Sequence, residues 1–201
     1  MKKSWGKFYS KTVNLKFLIQ NTFCHLELFT WVWEEAPKKI LEIGVGTGSM
    51  SIFFSYLGLD VTGLDNDQDI LKKARNLSKK LNGKAKFIHG NAFNLPFKDK
   101  SFDVVLSQGL LEHFQDDEIF KLLDEQLRVG KVVILSVPNK YYSVLDFGDE
   151  RLLTDENWYK LLSKKYHILK NLSYNPHRKT ILRGRIVYKV INTMFLAKIV
   201  K

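Results

Sequence analysis

A short apolar run, Lys39-Ile40-Leu41-Glu42-Ile43, leads straight into Gly44-Val45-Gly46-Thr47-Gly48. Three glycines at alternate positions constrain this chain more than anything else in it. Glycine takes up backbone angles that other residues avoid, so the chain can turn sharply there and let a ligand approach its backbone. Met50, Phe53, Phe54 and Leu57 follow, spaced for one side of a helix. A strand that turns through glycines into a helix offers the free N–H groups of the helix start to an anion. The spacing is Gly-x-Gly-x-Gly rather than Gly-x-Gly-x-x-Gly, which disfavours a nicotinamide dinucleotide. A glycine turn that binds nothing is the plainer alternative.

The alternation of strand and helix continues along the chain. Asn14 to Glu35 reads as one or two helices, with Leu15, Leu18, Ile19, Phe23, Leu26 and Phe29 at helical spacing and Pro37 as the stop. Val61 to Leu64 is a second strand, ending at Asp65. The helix after it carries the apolar stripe Ile70, Leu71, Ala74, Leu77 and Leu81 and ends at Asn82-Gly83. Ala85 to His89 and Phe102 to Leu106 are the third and fourth strands. Gln115-Asp116-Asp117 caps a helix running to about Leu127, and Lys131 to Val137 is the fifth strand, closed by Pro138-Asn139. Thr154-Asp155-Glu156 opens a further helix, and Tyr166 to Tyr174 and Thr193 to Val200 read as two more strands. Over Gly184 to Val200 a closing helix and a last strand are expected.

This order predicts a single α/β domain. Its core is a doubly wound sheet of about seven mostly parallel strands with helices on both faces. Ligands of such sheets bind beyond the carboxyl ends of the strands, where the strand order reverses. The glycine turn, Asp65, Asn91 and Ser107 follow strands one to four in turn, so all four fall on that rim. A carboxylate at Asp65 can accept from both hydroxyls of a ribose, whatever the nucleotide. Asp67 and Asp69 lie at the same helix start, so an N-cap role competes with that reading.

Composition narrows the setting. One cysteine among 201 residues, Cys24, allows no internal disulfide and is read as a small buried hydrophobe in a reducing compartment. Neither a secretory leader nor about 18 consecutive apolar residues is evident, so a cytoplasmic location is expected. No Cys/His cluster suggests a metal. The net charge of +11 is uneven. Residues 40–150 hold 13 Lys/Arg against 16 Asp/Glu, whereas residues 151–201 hold 12 against 2. A tail so basic admits contact with nucleic acid, an acidic partner or, through the apolar and basic stretch 184–200, a membrane surface. A lysine-rich solvated face is the plainer reading.

Five segments in order now resemble one family. Ile40 to Gly48 looks like motif I of the class I S-adenosylmethionine-dependent methyltransferases, which are Rossmann-like. Leu64-Asp65 resembles their ribose-binding loop. His89-Gly90-Asn91-Ala92-Phe93-Asn94-Leu95-Pro96-Phe97 resembles their adenine-binding segment. Phe102 to Ser107 with Leu111-Glu112-His113-Phe114 matches their fourth-strand motif, and Val129 to Asn139 is similar to the fifth. The branch it resembles is the small-molecule type, which includes enzymes of quinone biosynthesis. Two residues depart from the pattern. Asn91 stands where the family has Asp, and an amide oxygen still accepts a hydrogen bond. Lys131 stands where a second Gly is usual, which predicts a looser turn before the fifth strand. Neither the Asn/Asp-Pro-Pro-Tyr mark of base-amino methylation nor a Pro-Cys nucleophile is present.

The resemblance implies S-adenosylmethionine as cofactor. Glu42, Gly44, Gly46, Gly48, Asp65, Asn66, Asn91, Ala92 and Ser107 are its expected binding residues. It implies methyl transfer to a small-molecule or lipid-like acceptor. RNA or protein methylation through the basic tail, and a catalytically silent cofactor-binding fold, are the alternatives. Holding donor and acceptor in line is the main task, and a base is needed only where the acceptor must lose a proton. Glu112 and His113 stand near the mouth as candidates, against a purely structural role, and no base is assigned. Residues 1–38, with Trp5 and Tyr9, are expected to form a helical lid or floor, 39–140 the cofactor core, and 141–201 the acceptor side. Tyr141 and Tyr142 are candidate pocket residues, with core packing as the alternative.

Overall fold

The computed structural model describes residues 14–142, 148–174, 177–182, 185–190 and 193–201, with 177–182 and 185–190 described by their backbone alone. Two short helices come first, α1 (Leu15–Cys24) and α2 (Leu26–Glu34), broken at His25. Asn14 caps α1 by accepting from the Phe17 N–H at 3.0 Å. The buried side of this pair differs from the one the sequence suggested. Leu18, Leu28, Phe29, Trp31 and Val32 are buried, whereas Leu15, Ile19, Phe23 and Leu26 face solvent. The break at His25 shifts the helical phase, so one continuous stripe does not describe both helices. Cys24 is exposed rather than buried, because it lies on the outer side of that break.

The core elements then alternate: β1 (Lys39–Ile43), α3 (Ser49–Tyr56), β2 (Asp60–Asp65), α4 (Gln68–Lys80), β3 (Lys86–His89) and β4 (Phe102–Gln108). A 3-10 turn (Leu111–His113), α5 (Asp116–Val129), β5 (Gly130–Pro138), α6 (Asp155–Ser163) and β6 (His167–Tyr174) follow. The chain ends with β7 (His177–Leu182), β8 (Arg185–Val190) and β9 (Met194–Val200). The seven-stranded sheet has the order β3-β2-β1-β4-β5-β9-β6. β1 to β5 are parallel, and β9 runs antiparallel to both β5 and β6. From β1 the chain winds outward to β3 and then crosses back to β4, so the order reverses between β1 and β4. β7 and β8 pair with each other as a two-stranded sheet of their own. The stretch from 185 is therefore strand rather than the expected closing helix. Its apolar residues Ile186, Tyr188 and Val190 recur at every second position, which fits a strand period of two.

The central strands are buried on both faces. On one face Ile40, Val104, Leu106 and Ile134 pack against Leu28, Phe29, Met50 and Phe54. On the other, Leu41, Val105, Val133 and Leu135 pack against Leu122, Leu123, Trp158 and Leu162 of α5 and α6. A third cluster joins Leu18, Val45 and Ile52 to the predicted stripe Ile70, Leu71, Ala74 and Leu77. Each such side chain contributes about 1.5–3 kcal/mol by leaving water.

Local signals set the ends. Asp67 caps α4, accepting from the N–H groups of Asp69 and Ile70. Asn82 takes up φ +54°, and the Gly83 N–H donates to the Ser78 carbonyl at 2.8 Å, closing the helix where the Asn-Gly pair predicted. Gln115 and Glu118 form a capping box on α5. The turn before β5 is not loosened by Lys131. α5 ends at Val129 and the strand begins at Gly130 with no residue between. A Cβ at Gly130 would lie 2.5 Å from Val105, so this position needs glycine, while Lys131 points outward to Asp103 at 2.7 Å. Among the described residues no helix is long and apolar enough to cross a membrane.

Trp158 is fully buried, and its indole N–H has no partner among the described residues. Urea melts of Trp158→Ala should show a loss of about 3–5 kcal/mol from the cavity. Trp158→Phe should cost clearly less, because it also removes the orphaned donor. Equal losses in the two variants would contradict this packing.

Candidate functional site

Gly44, Gly46 and Gly48 all have left-handed φ values of +74°, +50° and +74°. The turn between β1 and α3 therefore depends on glycine in a way the sequence pattern anticipated. It is also tightly enclosed. A Cβ on Gly48 would meet Ala74 and Phe87 at 2.9 Å, and one on Gly44 would sit 3.2 Å from Leu110. α3 starts at Ser49 with no side-chain cap, and its N-cap is Gly48. The N-terminal helices reach this point: the Asn21 amide donates to Ser49 Oγ at 3.1 Å. That places α1 beside the turn, although Trp5 and Tyr9 lie outside the described residues.

Glu42 is buried at the end of β1. Its Oε2 accepts from the Ser51 N–H at 3.0 Å and from Ser51 Oγ at 2.5 Å, so it ties the strand to α3. Burial pushes its carboxyl up to about 7, against the two Ser51 bonds, with the nearby Asp65 charge adding to the rise. Asp65, at the end of β2, accepts from the Asp67 N–H at 3.0 Å and also from the backbone of Gly46 and Asn66. Burial raises its pKa, and those backbone bonds oppose the rise. The carboxylate thus sits directly against the glycine turn.

The next strand end joins the same arc. The Gly90 N–H donates to the Asp65 carbonyl at 3.0 Å, and His89 Nε2 lies 3.2 Å from the Asn66 carbonyl. Asn66 and Asn91 are exposed, and Ala92 is half-buried. Asn91 Oδ1 accepts from the Phe93 N–H at 2.9 Å, which shapes a small turn bridged to Asn94. That oxygen keeps one further lone pair. Phe93 packs edge-on against Phe114, linking this segment to the stretch after β4.

Ser107 stands apart from the arc, across β1. It pairs in register with Ile43 and Leu135, is 1% exposed, and its hydroxyl has no partner among the described residues. Glu112 is buried in the 3-10 turn, and its Oε1 lies 3.9 Å from His113 Nε2. His113 Nδ1 lies 2.8 Å from an Asp149 carboxylate oxygen. Tyr141 is exposed, and Tyr142 is half-buried beside Asn139.

Several polar links escaped the sequence. Buried His25 Nδ1 and the Tyr174 hydroxyl are 2.7 Å apart, and the same hydroxyl is 2.7 Å from Ser136 Oγ. Burial holds the imidazole near 4, so it is neutral at ordinary pH. Arg128 gathers Glu125, Asp99 and the carbonyls of Leu95 and Phe97, and so fixes the segment after β3. Asp149 was missed as well. An acid in an irregular stretch 36 residues from its histidine partner leaves no periodic signal.

Comparison with known proteins points to methyltransferases. A family model described as "Methyltransferase domain" matches residues 40–132. Norajmaline N-methyltransferase of Rauvolfia serpentina is 35% identical over 64% of this chain and 44% of its own. Demethylmenaquinone methyltransferase of Thermus thermophilus is 33% identical over 52% of this chain and 50% of its own. The chain spans about half the length of the curated relatives it matches. Magnesium protoporphyrin IX methyltransferase of Synechocystis, solved with S-adenosylhomocysteine bound, shares the fold at a TM-score of 0.65 with 16% identity, covering 98% of this chain and 93% of that one. The sheet order, the glycine turn and these matches agree: over residues 40–132 the chain is similar to methyltransferases, and its fold is shared with one solved with S-adenosylhomocysteine bound.

Proposed function

We propose that this protein binds S-adenosylmethionine on the rim formed by Gly44, Gly46, Gly48, Asp65, Asn66, Asn91, Ala92 and Ser107, and transfers its methyl group to a small-molecule acceptor. One observation carries the reading: the Asp65 carboxylate is held against the backbone of Gly46, at the point where the strand order reverses.

The residues present fit the cofactor. The left-handed glycines bring bare backbone to the cleft, and the start of α3 offers N–H groups to the methionine carboxylate. Asp65, half-exposed and bonded only along one side by backbone, would accept from the ribose hydroxyls. Asn91 and Ala92 would meet the adenine edge. The orphaned Ser107 hydroxyl supplies a buried polar group at the same rim. Glu42 acts from beneath by holding Ser51 and hence the start of α3 in place. When bound, the cofactor supplies a methyl group on an electrophilic sulfonium. The chain's own task is to orient the acceptor and keep water out, worth on the order of 7–11 kcal/mol when geometry is well fixed.

The small-molecule acceptor is supported by the relatives' names, which give norajmaline and demethylmenaquinone as theirs. It is supported too by the placement of the loops after β4 and β5, which carry His113 and Tyr142 beside the cofactor rim. The unassigned base candidates Glu112 and His113 both lie in the 3-10 turn at this mouth.

Thermal shift with S-adenosylhomocysteine tests the cofactor site. Ligand at 100 times its Kd should stabilise the wild type by about 2.7 kcal/mol. Asp65→Ala and Gly46→Arg should each abolish that gain while keeping native circular dichroism, and an undiminished gain in both would refute the site. The buried Glu42 sets a pH trend. Its carboxyl holds a proton more tightly in the folded chain, at about 7, than at its ordinary 4.5. The folded state is therefore favoured below pH 4.5, and that advantage is lost as pH rises through about 7. Chemical melts of the ligand-free chain should lose on the order of 3 kcal/mol over this window, and Glu42→Gln should largely flatten the fall. A slope unchanged by Glu42→Gln would place the titration elsewhere.

A further inference from the structure

Outside the cofactor arc, one group of side chains collects a nitrogen and two carboxylates at a single point. His113, Asp149 and Glu150 each offer one donor atom, and the three atoms lie within 4.8 Å of one another. His113 is only 11% exposed at its side chain, and its Nδ1 is 2.8 Å from Asp149. A histidine that merely needs orienting uses one carboxylate. Here a second carboxylate, Glu150, comes to the same place, its Oε2 accepting from the Gly148 N–H at 2.8 Å.

The arrangement is held by the backbone around it. Arg151 directly follows the two acids. Its N–H donates to the Glu112 carbonyl at 2.8 Å, and its guanidinium donates to the Phe114 carbonyl and to Asp116, both at 2.7 Å. The stretch before α6 is thus fastened to the 3-10 turn that carries His113. The Arg151 guanidinium thereby also ties this stretch to the start of α5.

We infer that His113, Asp149 and Glu150 bind a divalent transition-metal ion such as Zn²⁺ at the acceptor side of the rim. Donors around such an ion, at bonds of about 2.0–2.2 Å, sit closer together than the 4.8 Å that bounds this group, so the side chains would draw in around it. A nitrogen with two carboxylate oxygens selects Zn²⁺, Co²⁺ or Mn²⁺ over Ca²⁺. Three protein ligands leave positions open, as in catalytic rather than structural sites. An ion there would grip an acceptor oxygen. That role rests on the proposed methyl transfer, whereas metal binding itself does not.

The test uses the full chain, stripped with a chelator and titrated calorimetrically with ZnCl₂. The expected result is one Zn²⁺ per chain. His113→Ala, Asp149→Asn and Glu150→Gln should each weaken binding about tenfold or more. Co²⁺ should give a visible absorption band that His113→Ala abolishes. S-adenosylhomocysteine affinity should stay as in the wild type in all three variants. If the chain takes up no Zn²⁺, or if all three variants bind it as the wild type does, the site is overturned. Zn²⁺ binding that depends on these residues, in a chain with no affinity for S-adenosylhomocysteine, would uphold the metal site and refute the cofactor reading instead.

Discussion

A carboxylate shut away from water joins the first strand of this protein to its first core helix. Glu42 receives both the N–H and the hydroxyl of Ser51, and between those two residues the chain must pass through three left-handed glycines. Any slack there would move the start of α3, and with it the N–H groups of its first turn. The enclosure by Ala74, Phe87 and Leu110 removes that slack from the outside. Tension from within and packing from without therefore fix one turn, and Asp65 is registered against it by the Gly46 backbone. A buried carboxyl that is half-protonated near neutrality is the cost of that rigidity.

Much of this was legible because it is local. The glycine turn, the Asp67 cap, the capping box at Gln115 and the Asn-Gly stop at Asn82 are each written within a few residues. Strand ends could be read from short apolar runs, although Ser107, expected just after the fourth strand, lies within it. Asp65, Gly46, Asn66 and Asn91 form a connected arc at one rim, with Ser107 across β1. What failed was non-local. The outward side of α1 was misjudged because a one-residue break at His25 rephases the helices, and periodicity assumes no such break. The β7–β8 pair was hidden because its basic residues, Arg178-Lys179 and Arg185 with Lys189, follow no strict alternation, so spacing did not separate strand from helix. His25 and Tyr174 are 149 residues apart, and no spacing rule spans that distance.

The two rims of the sheet differ in kind. At the amino rim the joints are short and ionic. Asp103 accepts from the N–H groups of Lys38 and Lys39 and from Lys131, which holds its carboxyl down at about 2. At the same end, helix α5 becomes strand β5 without a connecting residue. The carboxyl rim instead carries the longer connections, the glycine turn, the 91–99 segment clamped by Arg128, and the stretch after β4. In doubly wound sheets it is the carboxyl rim, near the reversal of strand order, that takes ligands.

The small β7–β8 ribbon leaves β6 after Tyr174 and returns to β9 at Met194, two residues that are opposite each other in the ladder. At that doorway the Asn139 N–H donates to the Thr193 carbonyl, and the Asn139 amide donates to Asp155. The excursion is consequently stapled shut at its neck, on the working side of the sheet and independent of the ladder below. Its length and residues can drift, or be exchanged for another module, without unsettling the scaffold. The outer ribbon thus hangs from the sheet by its two ends, and the closed neck keeps its motions from reaching the strands beneath.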